Sequence, residues 1–240
     1  MNMHTYRRNP LAILLVTVFL LIPVLASFDP VTPVVFFILG MVNLGIAGKI
    51  NYITFLKTVF LLSTVGVGLF LLNFLFPAEG INGLHRGITV FLRSISLIGL
   101  SIGYIMIVNL YDLTRALMIH LHLPPRLGFA LFAGWNVIPL LKRDIQIIKK
   151  AQEIRYIKEK KDTKRFLRAA VVLLSGAVRH GERVSLSMAS RGIEESQNRS
   201  FIRTTEWNIK DTMYCVLGFL VSGTAITVIV ISGQFTFGLG

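Results

Sequence analysis

Residues 11–48 read LAILLVTVFLLIPVLASFDPVTPVVFFILGMVNLGIAG, two uncharged apolar runs, 11–28 and 31–48, on either side of Asp29-Pro30. Each run is close to the roughly 20 residues that a helix rising about 1.5 Å per residue needs to cross a bilayer core. Asp-Pro is turn chemistry: the aspartate side chain bonds the backbone just ahead of it, and proline pre-sets φ. The stretch therefore predicts a helical hairpin within a membrane.

The rest of the chain agrees. Hydrophobic residues make up 53% of the 240 residues, charged residues only 15%, and mean hydropathy is +0.67, which leaves too much apolar surface for a soluble domain. Three further apolar windows follow, at 58–78, at 94–111 directly after Arg93, and at 212–232. A charge at the centre of a span costs about 2.5 to 3.5 kcal/mol on insertion scales, and none of these windows carries one there. The fold class expected is an all-α integral membrane protein with about five transmembrane helices. Cys215, the single cysteine, lies in the last window and serves neither a disulfide framework nor a thiolate metal site.

Orientation follows from the basic residues. Arg7 and Arg8, Lys49 and Lys57, Arg115 and Arg126 all fall on one side of this five-span arrangement, the cytoplasmic side by the positive-inside rule. Asp29, the 79–86 loop and an uncharged C-terminus fall on the other. The N-terminus is thus expected inside and the C-terminus outside. A cleaved signal peptide is the rival reading of Arg7-Arg8 and 11–26, with Leu25-Ala26-Ser27 as its small-residue end. The apolar run that follows at once favours an anchored hairpin.

The net charge of +13 is concentrated. Residues 137–210 hold 17 of the 25 Lys and Arg and 8 of the 12 Asp and Glu, a net of +9. Their pattern is amphipathic instead of continuously apolar. Ile138, Leu141, Ile145, Ile148, Ala151 and Ile154 keep helical spacing while Lys142, Arg143, Lys149 and Lys150 face elsewhere. A second amphipathic helix is expected at 166–178 and a third at 182–197, punctuated by Gly176, His180-Gly181 and Gly192. Pro124-Pro125 ends the helix before them, and the short apolar stretch 127–141, with Gly128, Gly134 and Pro139, is expected to dip into the membrane without crossing. Three regions result: a membrane domain at 1–122 with four spans, cytoplasmic coupling helices at 123–210, and a final span at 211–240.

Two short segments in the basic region resemble each other, Ala151-Gln152-Glu153-Ile154-Arg155-Tyr156 and Ser187-Met188-Ala189-Ser190-Arg191-Gly192. With the Leu-Pro-Pro passage at 123–125 and Ile138-Pro139-Leu140-Leu141, they make the chain resemble the transmembrane T component of energy-coupling-factor transporters, the CbiQ-like family. The resemblance implies a non-catalytic scaffold that carries two Ala-Arg-Gly signatures on coupling helices. Each signature docks into one of two ABC-type ATPase subunits, and a separate small membrane subunit binds the substrate. It further implies that ATP and Mg²⁺ belong to the ATPases, that this chain needs no cofactor, and that Arg155 and Arg191 are the anchors. Ser190-Arg191-Gly192 departs from the signature by one hydroxyl. Ile154-Arg155-Tyr156 keeps the arginine but lacks both small neighbours.

The chemistry of such a motif stands on its own. Arginine presents five donors in a rigid fork suited to a carboxylate or to the exposed carbonyls at a helix end. Small neighbours such as Ala189 permit close approach, and glycine adopts the left-handed conformation that stops a helix.

Other features point elsewhere or nowhere. His120 and His122 are two apart, so on a helix they diverge instead of sharing a metal. The chain has no Gly-rich Lys-Ser/Thr phosphate loop and no ionisable residue at the centre of a span, which argues against an ATPase, a proton-coupled pump and an intramembrane enzyme. Gly99 and Gly103 form a small-residue face for close helix packing, either within the chain or against a partner subunit. Arg93 is expected at the outer end of its span, snorkelling or at a partner interface. The alternative function is a membrane-anchored protein whose basic helices bind anionic lipid or nucleic acid. Under the leading reading membrane lipids are contacts, nucleic acid is not, and the cargo is a vitamin, a vitamin precursor or a transition metal.

Overall fold

The computed structural model describes residues 8–77, 82–155, 163–193 and 205–233, with side chains for all of these except Arg155 and 163–165. They form helices α1 (Pro10–Ala26), α2 (Val31–Ala47), α3 (Tyr52–Leu75), α4 (Gly83–Ile107), α5 (Leu110–His120), α6 (Pro125–Arg155), α7 (Thr163–Ser190) and α8 (Ile209–Ile231). There is no strand among the described residues. Three helices, α3, α4 and α8, are long and apolar enough to cross a membrane, and α1 and α2 are shorter apolar helices. At 17 residues each, α1 and α2 stand at the lower end of the span lengths of about 17 to 25 residues that cross a bilayer. The protein is an all-helical membrane protein.

The chain divides into two compact units, Met1–Ala116 with Thr205–Gly240, and Leu117–Thr204. In the first, α1 is the central helix and packs against α2, α4 and α8. Ala12, Ile13, Val16, Leu20 and Val24 recur at helical spacing along it and are all buried. The Asn9 side chain caps its first turn by accepting the Leu11 N–H at 3.0 Å, and Pro10 sits at the first helical position, where no N–H is needed. The Asp29 carboxylate accepts both the backbone N–H and the hydroxyl of Thr32 at 2.7 Å, which closes the turn between α1 and α2.

Helix α8 runs parallel to α1. Asp211 bonds Asn9, Gly218 lies against Val16, and the Phe19 and Phe219 rings meet edge to face with centroids 3.8 Å apart. Parallel packing of α2 and α4 rests on small residues. A side chain on Gly99 would collide with Phe37, one on Gly103 with Leu44, and one on Gly40 with Leu100. Lipid supplies no hydrophobic drive between helices, so this close van der Waals approach is what holds them.

Helix α4 begins at Gly83, well before the expected start at 94. Arg93 therefore sits inside the helix and not at its end. The misplacement has a physical cause: the Arg93 guanidinium donates to the carbonyl of Leu25, in the last turn of α1, and lies 4.9 Å from the centroid of the Phe28 ring. The charge thus meets a free helix-end carbonyl and an aromatic face. Helix α3, capped by Asn51, likewise begins earlier than the apolar window at 58 and takes in Lys57.

In the second unit α6 and α7 pack together. Both correct the sequence reading. Helix α6 is one continuous helix with Pro139 inside it, where a separate dipping segment and a second helix from Ile138 were expected. The proline removes one backbone donor without breaking the ladder around it. Helix α7 runs unbroken through Gly176 and His180-Gly181 and ends at Ser190, where two helices at 166–178 and 182–197 were expected. A glycine in a helix interior costs only about 1 kcal/mol relative to alanine, too little to end a helix of 28 residues. Pro124-Pro125 divides α5 from α6 as its chemistry requires, and His122 there has a positive φ of 52°.

Candidate functional site

The expected coupling residues that the structure describes lie on the last turns of α6 and at the end of α7. Arg126, Ala130, Gly134 and Val137 of α6 share a groove with His180, Gly181 and Met188 of α7. Phe129 of α6 lines a second groove with Arg183, Ser187 and Arg191. The start of α6 thus lies beside the end of α7, so the two helices are antiparallel. The two arginines consequently belong to opposite ends of the pair. Twenty-six residues of α6 separate Phe129, beside Arg191, from Arg155, which at about 1.5 Å per residue is roughly 40 Å.

The end of α7 has a defined geometry. The Gly192 N–H donates to Ala189 O at 2.9 Å and the Ile193 N–H to Met188 O at 3.3 Å, the two bonds of a Schellman motif. Gly192 takes the left-handed conformation this needs, with φ +66°, and nothing lies within 4 Å of where a Cβ would stand. Arg191 is the residue on which the helix closes. It is exposed, as are Ala189 and Ser190, and the Ser190 hydroxyl turns back to Ser187 O at 3.0 Å. The guanidinium therefore stands at a tight helix end whose neighbours are small and project little.

The other copy is less fully placed. Ala151 and Ile154 are exposed on the last turns of α6, Ile154 by 74%. Arg155 is the last residue of α6, and Tyr156 lies outside the described residues. Gly99 and Gly103 are elsewhere, in the first unit, buried beneath Phe37 and Leu44 of α2. The intrachain alternative for that face is the one the geometry describes; a partner subunit finds no exposed surface there.

Sequence reasoning expected an amphipathic helix at 166–178 but did not single out the residues of its apolar face. Leu167, Val171, Leu174 and Val178 follow one another at helical spacing and are all exposed, Val171 by 65%. Lys164 and Arg165 precede them in sequence, so a window average hides the stripe. A contiguous apolar stripe on a helix otherwise rich in basic residues marks an interaction surface. It also passed over Tyr214, whose hydroxyl donates to the Asn43 carboxamide in the first unit. The available signal was Asn43 itself, the single amide residue in the run 31–48. Among the described residues no three His, Cys, Asp or Glu side chains gather closely enough to hold a metal ion.

A family model described as CbiQ, cobalt transport protein, matches residues 5–200. The chain belongs to the CbiQ family. It is accordingly a multi-pass membrane component of an energy-coupling-factor-type transporter, working in a complex with ATPases and other subunits. The match covers α1 to α7 and stops before α8. A comparison with curated proteins gave no match.

Proposed function

We propose that the chain is the energy-coupling scaffold of an importer, with Arg191 and Arg155 each anchoring one of two ABC-type ATPase subunits. The observation that carries this reading is the end of α7, where an exposed arginine stands on a Schellman turn between Ala189 and Gly192. A long donor fork on a compact helix end suits insertion into a groove that offers a carboxylate or helix-terminal carbonyls. The roughly 40 Å between the two arginine-bearing helix ends, taken from the rise of an α-helix, suits two separate docking sites better than one.

The exposed stripe of α7 supports a further contact. Leu167, Val171, Leu174 and Val178 suit the apolar surface of the substrate-binding membrane subunit, which the ATP-driven movement of the arms then tilts or releases. In this reading ATP and Mg²⁺ stay with the ATPases, the arms lie on the cytoplasmic side, and the cargo, a vitamin, a vitamin precursor or a transition metal, is chosen by the other subunit. Nucleic acid fits the arms poorly, because phosphate recognition does not use an exposed apolar stripe.

The test is detergent extraction from native membranes. The chain is expected to bring with it ABC-type ATPases and one small membrane protein. Quantitative recovery as a lone monomer contradicts the proposal.

A further inference from the structure

A groove of about 330 Å³ opens on the first unit among α1, α2 and α8. Arg8 and Lys210 line one end, and the groove reaches Leu20, Leu39 and Val221 at the other. Eleven residues of α8 separate Lys210 from Val221, about 16 Å of helix, enough for a headgroup and ester region over the first turn and the upper part of an acyl chain over the remaining length of about 10 Å. The groove therefore runs from headgroup level into the upper part of one leaflet. It is apolar along its length and cationic at the end where α1 and α8 begin.

The cationic end is built, not incidental. The Arg8 guanidinium donates to the carbonyl of Lys210 at 3.0 Å and lies 5.8 Å from the Tyr214 ring centroid, so the side chain is held over the mouth. The nearest carboxylate, Asp211, is buried and occupied by the backbone N–H groups of Asn9 and Asn208. Glu206, the other acid nearby, is exposed. One helical turn deeper the groove carries its polar pair. Tyr214 donates to the carboxamide oxygen of Asn43, which leaves the Asn43 NH₂ group as a donor at the depth of glycerol ester carbonyls.

We propose that this groove holds one anionic phospholipid of the leaflet in which α1 and α8 begin. Its phosphate rests on Arg8 and Lys210, its ester region on Asn43, and one acyl chain lies along Val42 and Leu217. The charge at the mouth selects an anionic headgroup over a zwitterionic one, and the apolar remainder of the groove takes the upper part of one acyl chain. This inference requires a membrane-embedded chain and nothing of the coupling role.

The experiment places the full-length protein in phosphatidylcholine nanodiscs with a small share of spin-labelled phosphatidylglycerol or spin-labelled phosphatidylcholine, and reads the motionally restricted fraction. The wild type is expected to prefer phosphatidylglycerol. Replacing both cations, Arg8→Gln with Lys210→Gln, is expected to lower that preference by about 30-fold, whereas Lys49→Gln with Lys57→Gln leaves it unchanged. Val42→Trp, at a position 58% exposed, fills the groove and is expected to release both labelled lipids without unfolding the protein. Equal preference in the wild type and the Arg8/Lys210 variant overturns the proposal. So does full retention of restricted lipid by Val42→Trp, or cross-linking of Val42→Cys to a second copy of the chain or to another membrane protein in place of lipid.

Discussion

One carboxylate oxygen of Asp211 accepts the backbone N–H of Asn9, 202 positions away, at 3.2 Å, while the other accepts that of Asn208 at 3.1 Å. A single buried side chain thus closes the capping box of α8 and reaches the start of α1. Negative charge at two helix N-termini is favourable at both. The bond sets the starts of α1 and α8 side by side, in keeping with the parallel course of the two helices.

The parallel pair gives a topological prediction. A reporter fused at Gly240 is expected on the outside and one inserted near Lys161 in the cytoplasm, measured by paired alkaline phosphatase and fluorescent-protein fusions. Both reporters on the same side would contradict the arrangement.

Helix packing gives a second prediction, drawn from two glycines with opposite surroundings. Gly103→Leu forces a side chain into Leu44 and is expected to lower stability by about 1 to 3 kcal/mol, read as thermal unfolding in detergent. Gly45→Leu, on the exposed side of α2 with nothing within 4 Å of its Cβ position, is expected to leave the transition unmoved. A larger loss at Gly45 than at Gly103 would place the helix interface on the wrong face.

The hairpin at 11–48 was legible because an uncharged run and an Asp-Pro turn are local signals that need no knowledge of neighbours. Arg93 was not legible. Its charge ended an apolar window, yet the carbonyl that satisfies it belongs to Leu25, 68 positions away, and no window contains both. Gly181 misled in the opposite way: turn-forming residues at 180–181 suggested a break, but the open space around Gly181 leaves the helix nothing to avoid. Gly192 was legible in part: the expected helix at 182–197 ran past it, yet its capacity for a positive φ, a property of the residue itself, is what ends α7 at Ser190. The Asn43–Tyr214 pair joins helices 171 positions apart and lay beyond any local pattern.

Those two glycines on α7 supply a third prediction. Gly192→Ala puts a Cβ on a residue at φ +66° and is expected to cost about 1 kcal/mol, loosening the turn that presents Arg191 and lowering uptake. Gly181→Ala, in the open interior of the same helix, is expected to stabilise it by about 0.5 to 1 kcal/mol and leave uptake intact. The two alanines therefore act with opposite sign on the same helix, and limited proteolysis with an uptake assay reads both.

The anchoring role of the arginines is the central claim, and side-by-side uptake by three alanine variants tests it most directly. Losing an arginine from a buried, charge-assisted contact costs about 2 to 5 kcal/mol, enough to release an arm. Arg191, between Ala189 and Gly192, permits closer approach than Arg155, which has Ile154 and Tyr156 beside it. Arg191→Ala is expected to cut uptake strongly and weaken ATPase co-purification, Arg155→Ala to do so in part, and Lys160→Ala, a charge outside both motifs, to match the wild type. All three should insert normally. Equal uptake by Arg191→Ala and Lys160→Ala would contradict the account.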